Sequence, residues 1–277
     1  MKLRQIGAAL GGMLLAASLV ACGGSQGGNA TASSGSNGTD SAAPAKYKIE
    51  TDVAFAPFEF LGTSNQYEGI DIELLSAIAK DQGFEYDLDA VGFDAALQNV
   101  QSGQADAVIA GMSITNERKE VFDFSEPYFD STVCAAVKSD SGIKSLDDLK
   151  GKNVATKTGT MSAKWAESLK DKYGFTTTEF KDSDIMYQDV TSGNSAACFE
   201  DTPVMKYAIS TGSVDLAVIE EADAQSEWAT PYGFAVKKGQ NAELLKKFND
   251  GLANIKKNGT FDEIVNKYTK ADASTSK

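Results

Sequence analysis

The stretch VQSGQADAVIAG, residues 100–111, is echoed ninety residues later by VTSGNSAACFED, residues 190–201. Val, Ser, Gly and Ala recur in register (Val100 and Val190, Ser102 and Ser192, Gly103 and Gly193, Ala107 and Ala197), and Gln98 is matched by Gln188. Each copy leaves a helix-like segment through Ser-Gly and runs into a short apolar strand. A chain that writes this passage twice is committed to two similar α/β units. The copies end differently, one in Ala110-Gly111 and the other in Glu200-Asp201, so the two strand ends offer different chemistry.

The segments around each copy fit that reading. Before the first come a strand from Lys46, a Pro-containing loop, and a helix over about 70–82 with Gly83 as its stop. A strand follows with alternating Phe84, Tyr86 and Leu88, then a helix carrying Phe93, Leu97 and Val100 on one face. Near residue 128 the pattern restarts: PYFDSTVCAAVK as strand, KSLDDLKG as short helix, KNVATKTGT as strand and loop, MSAKWAESLKDKYG as helix and TTTEF as strand. Strands alternating with helices predict mostly parallel sheets flanked by helices. The last segment, with Leu244, Leu245, Phe248, Leu252 and Ile255 on one face, reads as helical and is too short for a further domain. It is expected to pack back on the first unit, which makes the crossings near 128 and 231 a two-stranded hinge.

The N-terminus carries a different message. Lys2 and Arg4 precede an apolar run from Ile6 to Val20, and Cys22 follows Leu19-Val20-Ala21. This reads as a secretory signal over residues 1–21, with Cys22 at a lipobox-like cleavage point as the lipidated residue. Residues 22–45 continue as a Gly/Ser-rich tether with almost no large apolar side chain to bury. A coil of about 23 such residues spans roughly 25 Å. The expected location is the outer face of a cell membrane, reached through the lipid anchor.

Charge and composition exclude several functions. Removing residues 1–21 takes two basic side chains from 26 and leaves 24 against 39 acidic ones, a net of −15. That balance argues against nucleic acid as a partner. Histidine is absent, which removes Ser-His triads and His metal sites. Cys134 and Cys198 lack the spacing of a zinc site; they read as buried free thiols, with a disulfide as the alternative. No metal or cofactor is expected.

Ligands of open α/β sheets sit beyond the carboxyl ends of the strands, so the residues there are the candidates. They are Asp52 and Phe55 in TDVAFAPF, Phe93 in VGF, Ala110, Gly111, Ser113 and Arg118 in AGMSITNER, Lys157 and Thr160 in TKTGT, and Glu200 and Asp201. Arg118 can hold a carboxylate through two parallel hydrogen bonds. Glu200 and Asp201 offer negative charge to a cation, while Asp201-Thr-Pro is also good helix-capping chemistry. KTGT lacks the rest of a phosphate loop, so nucleotide binding is discounted.

Over about residues 46–270 these motifs resemble the periplasmic-type solute-binding proteins for polar amino acids that feed ABC importers. TDVAFAPFEF, GIDIELLSAIAK, ADAVIAGMSITNERKEVFDFSEPY, KTGT and DTP carry the resemblance, which is greatest to glutamine-binding proteins. The resemblance implies an α/β, two-lobed periplasmic-binding-protein type II fold, each lobe a mixed, mostly parallel sheet flanked by helices. Residues 46–128 would form lobe 1, 129–231 lobe 2, and 232–277 the return to lobe 1. The family's partners would be a free polar L-amino acid and the membrane subunits of the transporter, the receptor itself being a monomer without catalysis. Arg118 would hold the ligand carboxylate, helped by the Gly111 and Ser113 amides and the Ser113 hydroxyl. Asp201 and the Ala110 carbonyl would take the ammonium, Phe55 and Phe93 would sandwich the stem, and Asp52 and Lys157 would address its tip. The sequence departs from the glutamine-binding pattern at Glu200, where His is common, and at Met161, where Gly is common. Rival readings are a dehydratase of prephenate-like acids on the same fold, a sensor domain, and a receptor for basic amino acids.

Overall fold

The computed structural model describes residues 45–269; the signal peptide, Cys22 and nearly all of the tether read from the sequence lie outside them. Strand β1 (Lys46–Thr51) leads into a small antiparallel sheet of β2 (Ala54–Phe55), β3 (Glu59–Leu61) and β4 (Tyr67–Glu68). Helix α1 (Ile70–Gln82), β5 (Glu85–Ala90), α2 (Phe93–Ser102), β6 (Ala107–Val108), the one-turn α3 (Asn116–Lys119) and β7 (Phe122–Phe124) follow. The second unit runs β8 (Val133–Lys138), a 3-10 turn at Leu146–Leu149, β9 (Asn153–Lys157), α4 (Met161–Tyr173), β10 (Thr176–Phe180), α5 (Ser183–Thr191), β11 (Ala197–Asp201), α6 (Thr202–Ser210) and β12 (Leu216–Glu221). Then come β13 (Ala235–Lys237), α7 (Ala242–Asn258) and α8 (Thr260–Thr269).

The strands form two five-stranded sheets, ordered β5-β1-β6-β13-β7 and β10-β9-β11-β8-β12. In each, the first three strands are mutually parallel and the fourth runs against both its neighbours. The repeated passage supplies the third strand of both, β6 and β11. It enters each by the same turn: Gly103 and Gly193 stand at φ 80 and 82, and their amides bond Val100 and Val190. A positive φ is why glycine recurs there. The two-lobed, type II arrangement expected from the sequence is the fold that forms.

The contrary strand in each sheet is the one delivered by a crossing between lobes. β8 follows the first crossing and β13 the second, and the crossings bond to each other. Tyr232 N donates to Phe129 O at 2.8 Å, and Tyr128 N donates to Tyr232 O at 3.0 Å. Ser113 and Phe129 both bridge to Tyr232. The hinge is thus a narrow two-stranded ribbon with aromatic rings on it; Tyr232 lies 5.0 Å from Phe58 and 6.1 Å from Phe129, centroid to centroid.

Each lobe has cores on both faces of its sheet. In the first lobe Ile70, Leu74 and Ile78 of α1 pack with Leu244, Phe248, Leu252 and Ile255 of α7. The helical C-terminal segment forms as expected, except that Gly259 at φ 88 breaks it into α7 and α8. In the second lobe Trp165 and Phe175 close on Phe199, while Cys134 and Cys198 sit fully buried and free on the other face. The disulfide alternative is therefore not what forms. Among the described residues no helix is long and apolar enough to cross a membrane.

Phe248 stacks on Phe234 at 4.2 Å and 5° with no exposure, joining the returning helix to the strand before it. Phe248→Ala should destabilise the fold by about 3–5 kcal/mol, the usual cost of emptying a buried aromatic site. Urea unfolding of the two proteins reads this as a lower midpoint at unchanged slope.

Candidate functional site

The carboxyl ends of β1, β6, β9 and β11 meet between the lobes around a nearly closed cavity with about 10 Å3 of free space. That is about the space a single water needs. Ten of the eleven candidate residues line it: Asp52, Phe55, Phe93, Ala110, Gly111, Ser113, Arg118, Lys157, Thr160 and Asp201. Met161 joins them; Glu200 does not.

Asp52 and Lys157 face each other across the lobes as a direct ion pair, each 1 % exposed. Asp52 is fixed from behind, its Oδ1 accepting from the amides of Val53 at 2.7 Å and Phe93 at 3.1 Å. Burial works to lower the Lys157 ammonium, but Asp52 and then Glu200 outweigh it, so the net shift is upward. Its ammonium also lies 4.8 Å from the Phe55 ring centre.

Arg118 is oriented before any ligand is considered. Its Nη1 donates to Ser113 O at 2.8 Å and its Nη2 to Gly159 O at 2.9 Å, so it too reaches across the cleft. The guanidinium rests 5.3 Å from the Phe93 ring centre. Burial brings its pKa down to about 10, against the pull of Asp201, and leaves it charged at neutral pH. With five N–H donors and two committed to carbonyls, the fork keeps donors for a carboxylate. Beside it α4 begins: Thr160 caps the helix by accepting from Ala163 N at 3.1 Å, and Met161 at the first helical position has an amide with no partner inside the helix. A helix N-terminus adds favourable potential for an anion.

Asp201 ends β11. Its Oδ2 accepts from Tyr232 OH at 2.6 Å, while its buried Oδ1 has no partner. Its side chain makes no capping bond to α6, so the capping role offered by Asp-Thr-Pro is not used, although Pro203 does start the helix. Burial first, and Glu200 second, push its carboxyl up to about 7.

Two expectations need correction. Glu200 does not face the cavity. Its carboxylate points into lobe 2, where Ser183 Oγ at 2.9 Å, Tyr187 OH at 2.8 Å and the Asp201 amide at 2.9 Å donate to it. Successive strand residues face opposite sides, so Glu200 and Asp201 cannot both enter the cleft. Gly111 lines the cavity, but its amide is not free to bind a ligand: it donates to Asp71 Oδ2 at 2.7 Å. Its φ of 51 and the Phe55 ring, 2.5 Å from where a Cβ would sit, explain glycine here.

Met161, Asp71 and Tyr232 were not singled out as site residues. Met161 was legible, since the residue after a threonine N-cap opens a helix. Asp71 and Tyr232 reach the site through the fold, and no local pattern marks them. Among the described residues no cluster suited to a metal occurs.

The model for bacterial extracellular solute-binding proteins, family 3, matches residues 47–271. The arginine-binding extracellular protein ArtP of Bacillus subtilis (strain 168) is 32% identical over 239 residues, 86% of this chain and 91% of that protein. Substrate binding domain 2 of Lactococcus lactis GlnP, solved in an open conformation, is 45% identical, covers 80% of this chain and 94% of its own, and has a TM-score of 0.56. An ancestral arginine-binding protein bound to arginine is 36% identical over 82% of this chain and 100% of its own, with a TM-score of 0.73. The chain therefore belongs to the bacterial extracellular solute-binding proteins, family 3, and is an extracytoplasmic amino acid-binding receptor of an ABC transporter.

Proposed function

We propose that the ligand is a neutral amide amino acid, L-glutamine first, and that the receptor is held at the membrane by a lipid on Cys22. One observation carries the choice of ligand. The charged side chains lining the cavity are Asp52, Lys157, Arg118 and Asp201, two of each sign. A zwitterion with an uncharged side chain leaves that balance intact, and an unpaired buried charge is expensive. Its carboxylate pairs with Arg118 and the start of α4, and its ammonium with the free Oδ1 of Asp201. A side-chain amide then offers N–H to Asp52 and C=O to Lys157. Glutamate sets a carboxylate against Asp52; arginine or lysine sets a cation against Lys157. Asparagine is one methylene short and leaves a polar group unpaired, a loss of roughly 1–3 kcal/mol.

The relatives named above include arginine binders, so the identity of the side chain is what distinguishes this chain. Hinge closure is part of the same reading. Lys157 with Asp52, Arg118 with Gly159 and Lys164 with Glu117 all join the lobes, and a ligand touching both sides favours the closed form. The poorer superposition on the more similar but open Lactococcus domain supports this. Binding rather than turnover is supported by Glu200 lying outside the cavity and Asp52 being ion-paired, which leaves Asp201, assigned here to the ligand's ammonium, as the remaining carboxylate on the wall.

Thermal shift against the twenty amino acids should rank glutamine first, then glutamate or asparagine, with arginine and lysine last. Ligand at 100 times its Kd adds about 2.7 kcal/mol of stability. Tighter binding of arginine or lysine than glutamine would overturn the assignment of Lys157. Asp52→Asn should narrow the gap between glutamine and glutamate.

Arg118→Ala should weaken glutamine binding by about 3–5 kcal/mol, since the ligand carboxylate loses its buried partner; Arg118→Lys should weaken it less. Calorimetry giving wild-type affinity for the alanine variant places the carboxylate elsewhere. For the anchor, Cys22→Ser should move the protein from the membrane to the soluble fraction of expressing cells.

A further inference from the structure

We infer that Tyr232, on the returning strand of the hinge, is the positioning residue that keeps Asp201 charged and aimed at the ligand's amine. The inference rests on the reading of Asp201 as the partner of the α-ammonium. Three observations carry it. The Tyr232 hydroxyl donates to Asp201 Oδ2 at 2.6 Å, which fixes one carboxylate oxygen and leaves Oδ1, buried and without a partner, for a donor from the ligand. The phenol itself is fully buried and bonded on its far side by Ser131 Oγ at 3.0 Å. Ser131 belongs to the first crossing, Tyr232 to the second and Asp201 to lobe 2, so this chain of bonds ties the hinge to the jaw that holds the amine.

The electrostatics explain why that bond matters. The groups facing Asp201 are Glu200 of its own strand, Cys134 of β8, Lys157 of β9, Arg118 of α3 and Tyr232. Burial and Glu200 favour the neutral acid; the Tyr232 bond, Arg118 and Lys157 favour the carboxylate. The opposing influences meet near neutral pH, where removing one donor decides which form prevails. A carboxyl that loses a hydrogen bond to its charged form titrates higher. The neutral acid forms as pH falls, and it is the carboxylate that pairs with an ammonium, so binding should weaken on the acid side.

The neighbouring crossing provides an internal comparison. Tyr128 bonds backbone to backbone with Tyr232, but its own hydroxyl donates to Asp71 Oδ2 at 2.8 Å, not to Asp201. Tyr128→Phe and Tyr232→Phe thus remove the same group from adjacent buried rings and keep the ring packing. Calorimetric titration with L-glutamine between pH 5 and 8.5 should show the wild-type affinity falling by up to tenfold per pH unit below the Asp201 midpoint. In Tyr232→Phe the midpoint should move up by about one unit, giving about fivefold weaker binding at pH 7, about tenfold below pH 6, and a gap that narrows by pH 8.5. Tyr128→Phe should keep the wild-type midpoint. An unshifted midpoint in Tyr232→Phe, equal shifts in both variants, or a flat wild-type profile would overturn the inference. If the wild type gives no heat with glutamine, the glutamine reading fails by itself; L-arginine, which carries the same α-ammonium, then reads the midpoints with the same criteria.

Discussion

Lys157 and Asp52 are buried to 1 % exposure on opposite lobes, and each is tolerable there only because the other is present. Arg118 and Asp201 are likewise out of solvent. Charges buried this deeply demand compensation of definite sign and position. In the proposed complex that demand ties closure of the lobes to the molecule held between them. A protein with its charges sorted onto two rigid bodies cannot close on an arbitrary guest, because a misplaced charge would cost more than the closure contacts return. The same arrangement makes opening feasible, since each charge regains water when the lobes part.

The duplicated topology supplies the rigidity. Each sheet presents its third strand to the cleft, flanked by a parallel neighbour and by the contrary strand that arrives from the hinge. The lobes are joined through the short ribbon where Tyr128, Phe129 and Tyr232 pair, which is where the proposed closure would turn. On one side Asp71 accepts from both Tyr128 and the Gly111 amide. On the other, Asp201 accepts from Tyr232. Ribbon and strand ends are joined by side-chain hydrogen bonds to carboxylates that are themselves desolvated. Burial pushes the Asp71 carboxyl up to about 6, and burial, with Asp71 second, raises the Glu59 carboxyl well above the usual range.

Much of this was legible because helix ends and strand ends announce themselves. Gly83 and Gly103 stop helices where left-handed backbone is required, and the candidate residues were found simply because strands ending at a cleft expose the residues just beyond them. The features hidden in the sequence fall into two kinds. Glu200 was misdirected although the rule of alternating faces was available, since a strand that aims Asp201 at the cleft must turn Glu200 away. Asp71 and Tyr232 could not be found that way. Asp71 lies in the first turn of α1, 40 residues from the amide it accepts, and Tyr232 lies 31 residues from Asp201; only folding brings these partners together. Met161 was noticed as a departure from the glutamine-binding pattern, and its position at the opening of α4 puts it on the cavity wall.

The two thiols of lobe 2 bear on how such a molecule can be used. Cys134 and Cys198 are fully enclosed on neighbouring strands, and burial raises both above the ordinary thiol range. Thiolate, not thiol, reacts with maleimides and haloacetamides, so the folded lobe shields its own sulfur from such dyes. A cysteine introduced on the exposed rim, at Lys164 or Glu117 where the lobes touch, would be labelled in preference to both. If the lobes close as proposed, a fluorophore attached there would sit at the moving lip, and its emission would follow ligand concentration. The fold thus supplies the quiet background that an optical biosensor needs.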